Sequence, residues 1–234
     1  MSKRVDKVVL QMRKHNIPDW VKAQVEFILD VSNSAMWMYA NGMIQELLER
    51  LMAIALRLDA DGKLEMTSFG STAHKHGDAT EDQIPNYIQN VFIPESRAGG
   101  TWYSGTNYAK AVQTASGGKY MGAMDKAKGF FKKLMGQSAF TDFPKLNIMM
   151  SDGQDMGDHD AFIDQLTAAK DEYWLLVGVG EARCFGLMQK AADQLPNVGF
   201  VHFEDLTVSD DKMYEMMLAK ECLDFLVARQ PQKQ

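Results

Sequence analysis

Five oxygen-bearing side chains of this sequence stand where elements begin or end. Asp30, Ser32 and Ser34 lie in Asp-Val-Ser-Asn-Ser, Thr106 in Ser104-Gly105-Thr106-Asn107-Tyr108, and Asp152 in Ser151-Asp152-Gly153. Carboxylate and hydroxyl oxygens are hard donors suited to Mg2+, Mn2+ or Ca2+, whereas no His/Cys grouping in the sequence favours zinc. Two carboxylates with three neutral hydroxyls leave coordination positions for water or an outside anion. An ion held this way stays electrophilic toward a carboxylate.

These residues can meet only if the chain carries them to one edge. In an open α/β sheet that edge is the crevice beyond the carboxyl ends of the strands. Val25-Glu26-Phe27-Ile28-Leu29-Asp30 is a short apolar run ending on a carboxylate, as a buried parallel strand reads, and residues 146–153 repeat the pattern. Residues 64–69 alternate as a half-buried strand, with Gly70-Ser71 allowing a hairpin return through Ala73. Further strands are expected over 174–179 and 198–203. Helices are expected over 3–14, 43–58, 81–91, 123–135, 160–169, 184–195 and 211–228, with another starting near Asn107. Residues 94–105, rich in Gly, Ser and Arg, read as a long functional loop. The alternation predicts an α/β fold: a mostly parallel central sheet with one short antiparallel strand and helices on both faces. Residues 1–20 read as an N-terminal amphipathic helix and linker, 21–228 as the main domain and 229–234 as a polar tail.

The 234 residues, 46% hydrophobic and 24% charged, can fill one large core and argue against disorder. A net charge of −6 argues against a nucleic-acid surface, which needs clustered Lys and Arg. Cys184 and Cys222 are isolated, no secretory apolar region opens the chain, and no run reaches the roughly 20 apolar residues of a membrane helix. A cytoplasmic protein without a membrane partner is expected. Asp155, Asp158 and Asp160 read as a solvated loop with Asp158 as a helix cap. His74-Lys75-His76 reads as an exposed turn with no third ligand. Gly178-Val179-Gly180 lacks the third glycine of a dinucleotide fingerprint, since Arg183 stands there.

Asp30-x-Ser32-x-Ser34, Thr106 and Asp152 resemble, in order and placement, the metal-ion-dependent adhesion site of von Willebrand factor A (vWA) domains. The local wording of residues 25–32, 105–108 and 173–180 is similar to the tellurium-resistance (Ter-type) vWA domains of bacteria and phages. The resemblance implies the three-layer, Rossmann-like vWA fold. It also implies direct metal contacts from Ser32, Ser34 and Thr106, and water-mediated support from Asp30 and Asp152. Mg2+ is the expected ion, with Mn2+ or Ca2+ as substitutes, and the expected partner is a protein presenting an Asp or Glu to the metal. Trp102, Tyr103 and His159 are candidates for the rim that partner meets. The biological setting implied is a bacterial or phage stress and tellurium-resistance system. Asn33, Ala35, Ser151 and Gln154 depart from the commoner family residues without removing a ligand. Two other readings are a phosphohydrolase-like enzyme with Asp30 as nucleophile, which Ser32 in place of a second Asp disfavours, and a structural vWA domain with an empty metal site.

Overall fold

A computed structural model describes residues 1–117, 143–153 and 155–231. The helix expected over 123–135 and residue Gln154 lie outside them. Six strands form one sheet: β1 (Gln24–Asp30), β2 (Glu65–Phe69), β3 (Ala73–Lys75), β4 (Lys145–Ser151), β5 (Glu172–Val179) and β6 (Val198–Phe203). Their order is β3-β2-β1-β4-β5-β6, parallel except for β3 against β2. The chain moves outward from β1 to β2 and β3, then returns to place β4 on the other side of β1. That reversal opens a crevice between the carboxyl ends of β1 and β4.

The central strands β1, β4 and β5 send apolar residues to both faces because helices cover both. Phe27 and Leu29 of β1, Leu146, Ile148 and Met150 of β4, and Leu175 and Val177 of β5 face one core, while Ile28, Met149, Trp174 and Leu176 face the other. This period of two splits each strand between the two layers. The larger core holds α1 (Ser2–Lys14), α3 (Met43–Leu58), α8 (Asp210–Met217) and α9 (Lys220–Ala228). The smaller holds α5 (Tyr108–Ala115), α6 (His159–Ala168) and α7 (Gly186–Gln194). α3 is buried along most of its circumference, lying between β1 and α1. Val8 and Met12 of α1 are enclosed there, each burial contributing roughly 1.5–3 kcal/mol. The N-terminal helix thus packs into the core of the main domain.

Three expectations require correction. Residues 81–91 are not a regular α-helix: a 3₁₀ turn (Ile84–Asn86) and a π-helical stretch (Ile88–Phe92) run into α4 (Ile93–Ala98). Pro94, which suggested the start of a loop, lies instead within the first two positions of α4. Residues 211–228 form two helices, because Ala219 is extended with ψ 157°. The break lets Tyr214 donate to the Arg50 carbonyl of α3 at 3.0 Å while α9 packs against β5. Finally, β2 is buried on both faces from Met66 onward. Thr67 donates to Glu26 at 2.5 Å and Ser68 lies 2.8 Å from Thr101 Oγ1, so its polar side is satisfied internally instead of by water.

Candidate metal centre

Asp30 closes β1 and is fully buried. Its Oδ1 accepts the Ser32 N–H at 2.8 Å, and its Oδ2 accepts the Ser151 hydroxyl at 2.5 Å. Ser151 in turn accepts from the Tyr108 hydroxyl at 2.9 Å and the Gly153 N–H at 3.1 Å, so Asp30 takes its single proton. The Tyr39 hydroxyl donates to the Asp30 carbonyl at 2.9 Å. With both carboxylate oxygens engaged, Asp30 is suited to holding an ion's hydration water and orienting the Ser32 loop.

Ser32 Oγ and Ser34 Oγ lie 3.1 Å apart. Adjacent oxygens around an octahedral Mg2+ with 2.0–2.1 Å bonds are about 2.9 Å apart, so one ion can accept both. Backbone pairing brings the other loops in. Ser32 forms a parallel bridge with Ser104, Asn33 N–H donates to the Ser104 carbonyl at 2.9 Å, and Tyr103 N–H donates to the Val31 carbonyl at 2.8 Å. Met156 N–H donates to the Thr106 carbonyl at 3.0 Å, and Asp155 Oδ1 accepts the Tyr108 N–H at 3.1 Å. Asn107 caps α5 by accepting from Lys110 N–H, which leaves the buried Thr106 out of the capping role. The three loops bearing Asp30, Thr106 and Asp152 therefore form one joined edge.

Asp152 supplies the test of fit. The residue is buried, and its Oδ1 has no hydrogen-bond partner among the described residues. A carboxylate oxygen without a donor is costly unless a cation, or a water that the cation holds, meets it. Hydroxyls, a supported carboxylate and an unsatisfied one make a donor set for a hard divalent ion. Gly153 follows at φ +88°, and a Cβ there would strike Phe185 at 2.5 Å, so the turn after Asp152 requires glycine.

Burial pushes the Asp30 carboxyl up from 3.8 to about 7; hydrogen bonds from Ser151 and Ser32 oppose the rise and the charge of Asp152 adds to it. A carboxyl whose folded value lies above its unfolded one stabilises the fold below pH ~4, and that stability is lost as pH rises through ~7. Metal-free protein is therefore expected to lose up to about 4 kcal/mol between pH 4 and 7 from this group, and Asp30→Asn to flatten the slope. Denaturant melts in chelator across that range check it; equal slopes for the two proteins would contradict it.

Of the expected rim residues, Tyr103 is 62% exposed with φ +60°. Trp102 is half-buried, its ring edge-on to Tyr39 at 5.1 Å and under the Arg97 guanidinium at 5.5 Å. His159 is exposed on α6, with Nε2 3.6 Å from Asp155 Oδ2. Asp158 caps α6 through Asp160 N–H and Ala161 N–H. Sequence reasoning missed Trp37 and Met156, 41% and 81% exposed, and a surface depression of about 320 Å³ lined by Trp37, Asp152, Arg183 and Cys184. A tryptophan three residues beyond Ser34 was the available signal. The reading of His74 and His76 is corrected too: His76 is buried, and Glu95 Oε2 of α4 lies 2.8 Å from its Nδ1.

Comparison with known proteins agrees with this architecture. The chain is 22% identical over 227 residues to the uncharacterized protein YcbR of Bacillus subtilis, covering 94% of this chain and 83% of that one. A solved von Willebrand factor type A structure from Catenulispora acidiphila superposes with TM-score 0.51 at 16% identity, over 86% of this chain and 43% of the other. Proximal thread matrix protein 1 from the mussel byssus, with a zinc-occupied MIDAS motif, gives 0.51 at 13%, over 86% and 48%. The chain spans about half the length of these structures, and at such identity they speak for the fold alone. The family described as vWA-TerF-like, the vWA found in the TerF C terminus, matches residues 22–232. The chain belongs to that family.

Proposed function

We propose that this protein is a metal-dependent protein-binding module in which Asp30, Ser32, Ser34, Thr106 and Asp152 hold Mg2+, and the ion completes its shell with an Asp or Glu of a partner. The observation that carries the reading is the buried, unpartnered Oδ1 of Asp152 beside the paired Ser32 and Ser34 hydroxyls. Ser32, Ser34 and Thr106 are the direct ligands in this reading, and Asp30 and Asp152 act through water. The domain proper runs over 21–228, with α1 as an added layer.

The surroundings favour a protein over a small molecule. Trp37, Tyr103 and Met156, three of the large apolar side chains exposed among the described residues, belong to the loops and to the short helix α2 (Met36–Ala40) at this edge. Exposed apolar groups gathered around a polar centre mark interaction surfaces. Arg183 and Glu181, ion-paired at 2.6 Å, line the depression beside Asp152. Both cysteines are free, which supports a cytoplasmic setting; among the described residues no helix is long and apolar enough to cross a membrane. Family membership supports a tellurium-resistance or related stress system. The phosphohydrolase reading gains nothing, because a fully buried Asp30 with both oxygens hydrogen-bonded is a poor nucleophile.

The experiment is capture of partners from a lysate on immobilised native protein with Mg2+ or with EDTA, and on Ser32→Ala/Ser34→Ala. The proposal expects a partner retained only by native protein with Mg2+, and released when its own acidic residue is replaced. A partner held equally in all three conditions would move the interface away from the metal.

A further inference from the structure

β3 and α4 bring together three side chains that the metal centre does not use. His74 lies on the edge strand, and His76 continues its ladder by donating its N–H to the Met66 carbonyl at 2.8 Å. Two residues apart on extended chain, both imidazoles point to one face. Glu95 reaches that face from the first turn of α4. One donor atom from each of the three lies within 4.8 Å of the others, and the two rings meet edge to face with centroids 5.0 Å apart. The His76 side chain is fully enclosed, whereas Glu95 is 43% exposed and His74 is half-buried.

The hydrogen bonds around His76 have a direction. The Ser96 hydroxyl donates to the Phe92 carbonyl at 2.7 Å and the Thr101 hydroxyl to the Ser96 carbonyl at 3.1 Å. Ser68 Oγ sits 2.8 Å from Thr101 Oγ1 and 2.8 Å from His76 Nε2. Carbonyls only accept, so the arrangement that makes each contact a hydrogen bond sends the Ser68 proton to Thr101. Ser68 then accepts from His76 Nε2–H. A neutral imidazole has one proton, which leaves the Nδ1 lone pair facing Glu95 Oε2 at 2.8 Å. Two lone pairs at that distance repel, and a cation between them removes the conflict. Enclosure lowers the pKa of His76 below its ordinary value, with Glu95 acting against it, so the ring's surroundings disfavour the imidazolium. A histidine whose second nitrogen donates to a fixed oxygen is the usual support of a metal ligand.

We propose that His74, His76 and Glu95 form a second metal site, selective for a transition ion and Zn2+ first, with a coordination position open to solvent. Two imidazoles and one carboxylate are the donor set of zinc sites with three protein ligands, and imidazole suits Zn2+ where Mg2+ and Ca2+ take oxygen. Tetrahedral bonds near 2.0–2.1 Å place donors about 3.4 Å apart. Glu95 therefore backs away from His76 by about half an ångström and the widest pair closes, movements that the partly exposed His74 and Glu95 can make. The bound ion ties β3 to α4.

Gly99 offers a lever on this geometry. Its backbone, φ −78° and ψ −3°, admits alanine, but a Cβ would stand 2.5 Å from His74 Cγ and 2.8 Å from Nδ1. Gly99→Ala displaces the His74 ring without touching a ligand's chemistry.

The test is titration of Zn2+, followed by calorimetry, into the Ser32→Ala/Ser34→Ala protein, which keeps the first centre out of the measurement. The visible spectrum after Co2+ substitution is the second readout. One Zn2+ per chain is expected, not displaced by excess Mg2+. His74→Ala, Glu95→Gln and Gly99→Ala in that background are each expected to weaken it by roughly tenfold or more and to remove the four-coordinate Co2+ bands. Circular dichroism verifies that each variant is folded. Zn2+ affinity unchanged in folded His74→Ala and Glu95→Gln would overturn the proposal. So would a folded Ser32→Ala/Ser34→Ala protein that binds no Zn2+.

Discussion

With Mg2+ at about a hundredfold excess over its dissociation constant, native protein is expected to be more stable than in EDTA by about 2.7 kcal/mol, and Asp152→Ala to show no such gain. For a chain of this size that corresponds to roughly 5–10 °C in melting temperature. The sign in EDTA is the sharper part of the result. Without metal, Asp152 contributes a buried oxygen with no donor and a charge that raises the pKa of Asp30. Removing it relieves both, so the variant should melt at or above the native temperature in EDTA and below it in Mg2+. A purely structural aspartate would lower stability equally under both conditions. Differential scanning calorimetry of the two proteins in the two buffers separates these cases.

Lys145→Met is expected to cost about 3–5 kcal/mol at neutral pH without altering Mg2+ affinity. Lys145 begins β4, at the end of the sheet opposite the metal centre. Its Nζ pairs with Glu26, which is fully buried, and lies 3.2 Å from Glu65 Oε2 and 3.0 Å from the Ala115 carbonyl. Burial alone would pull the lysine's pKa down, but Glu26, Glu65 and Glu172 outweigh it and raise it; the same contacts, with Lys75, lower Glu65 to about 2 against its own burial. Methionine fills the space and leaves Glu26 with the Thr67 hydroxyl and, as a charge partner, Lys75, 3.5 Å away and 40% exposed. Glu26→Gln on top of Lys145→Met should recover much of the loss, since the cost is that of an unpaired buried charge. Urea melts read both; a loss under about 1 kcal/mol would show that the pair is not holding the sheet's lower edge.

That Asp30 and Asp152 stand at the ends of neighbouring strands was legible because the signals are local. Asp30 and Asp152 each end an apolar run, and parallel strands covered on both faces must be such runs. Residues 43–58 and 198–203 have in the structure the limits that hydrophobic pattern gave them. What failed depends on distant partners. Thr67 and Ser68 look solvent-facing in a list of residues, yet Glu26 and Thr101 satisfy them in the core. Glu26 and Lys145 are far apart in sequence, and nothing in either neighbourhood announces a buried ion pair. The misread helix and the misread histidines are one error. Once Pro94 is taken as the start of a loop, Glu95 has no fixed position, and His74-Lys75-His76 lacks its third donor. α4 supplies both.

The most direct test of the adhesion-site account is an anomalous difference map from crystals grown in Mn2+, a substitute ion for Mg2+ that scatters anomalously. A peak bounded by the hydroxyls of Ser32, Ser34 and Thr106, with Asp30 and Asp152 reaching it through water, is the predicted result. A folded, Mn2+-saturated crystal with no peak among those residues would contradict it.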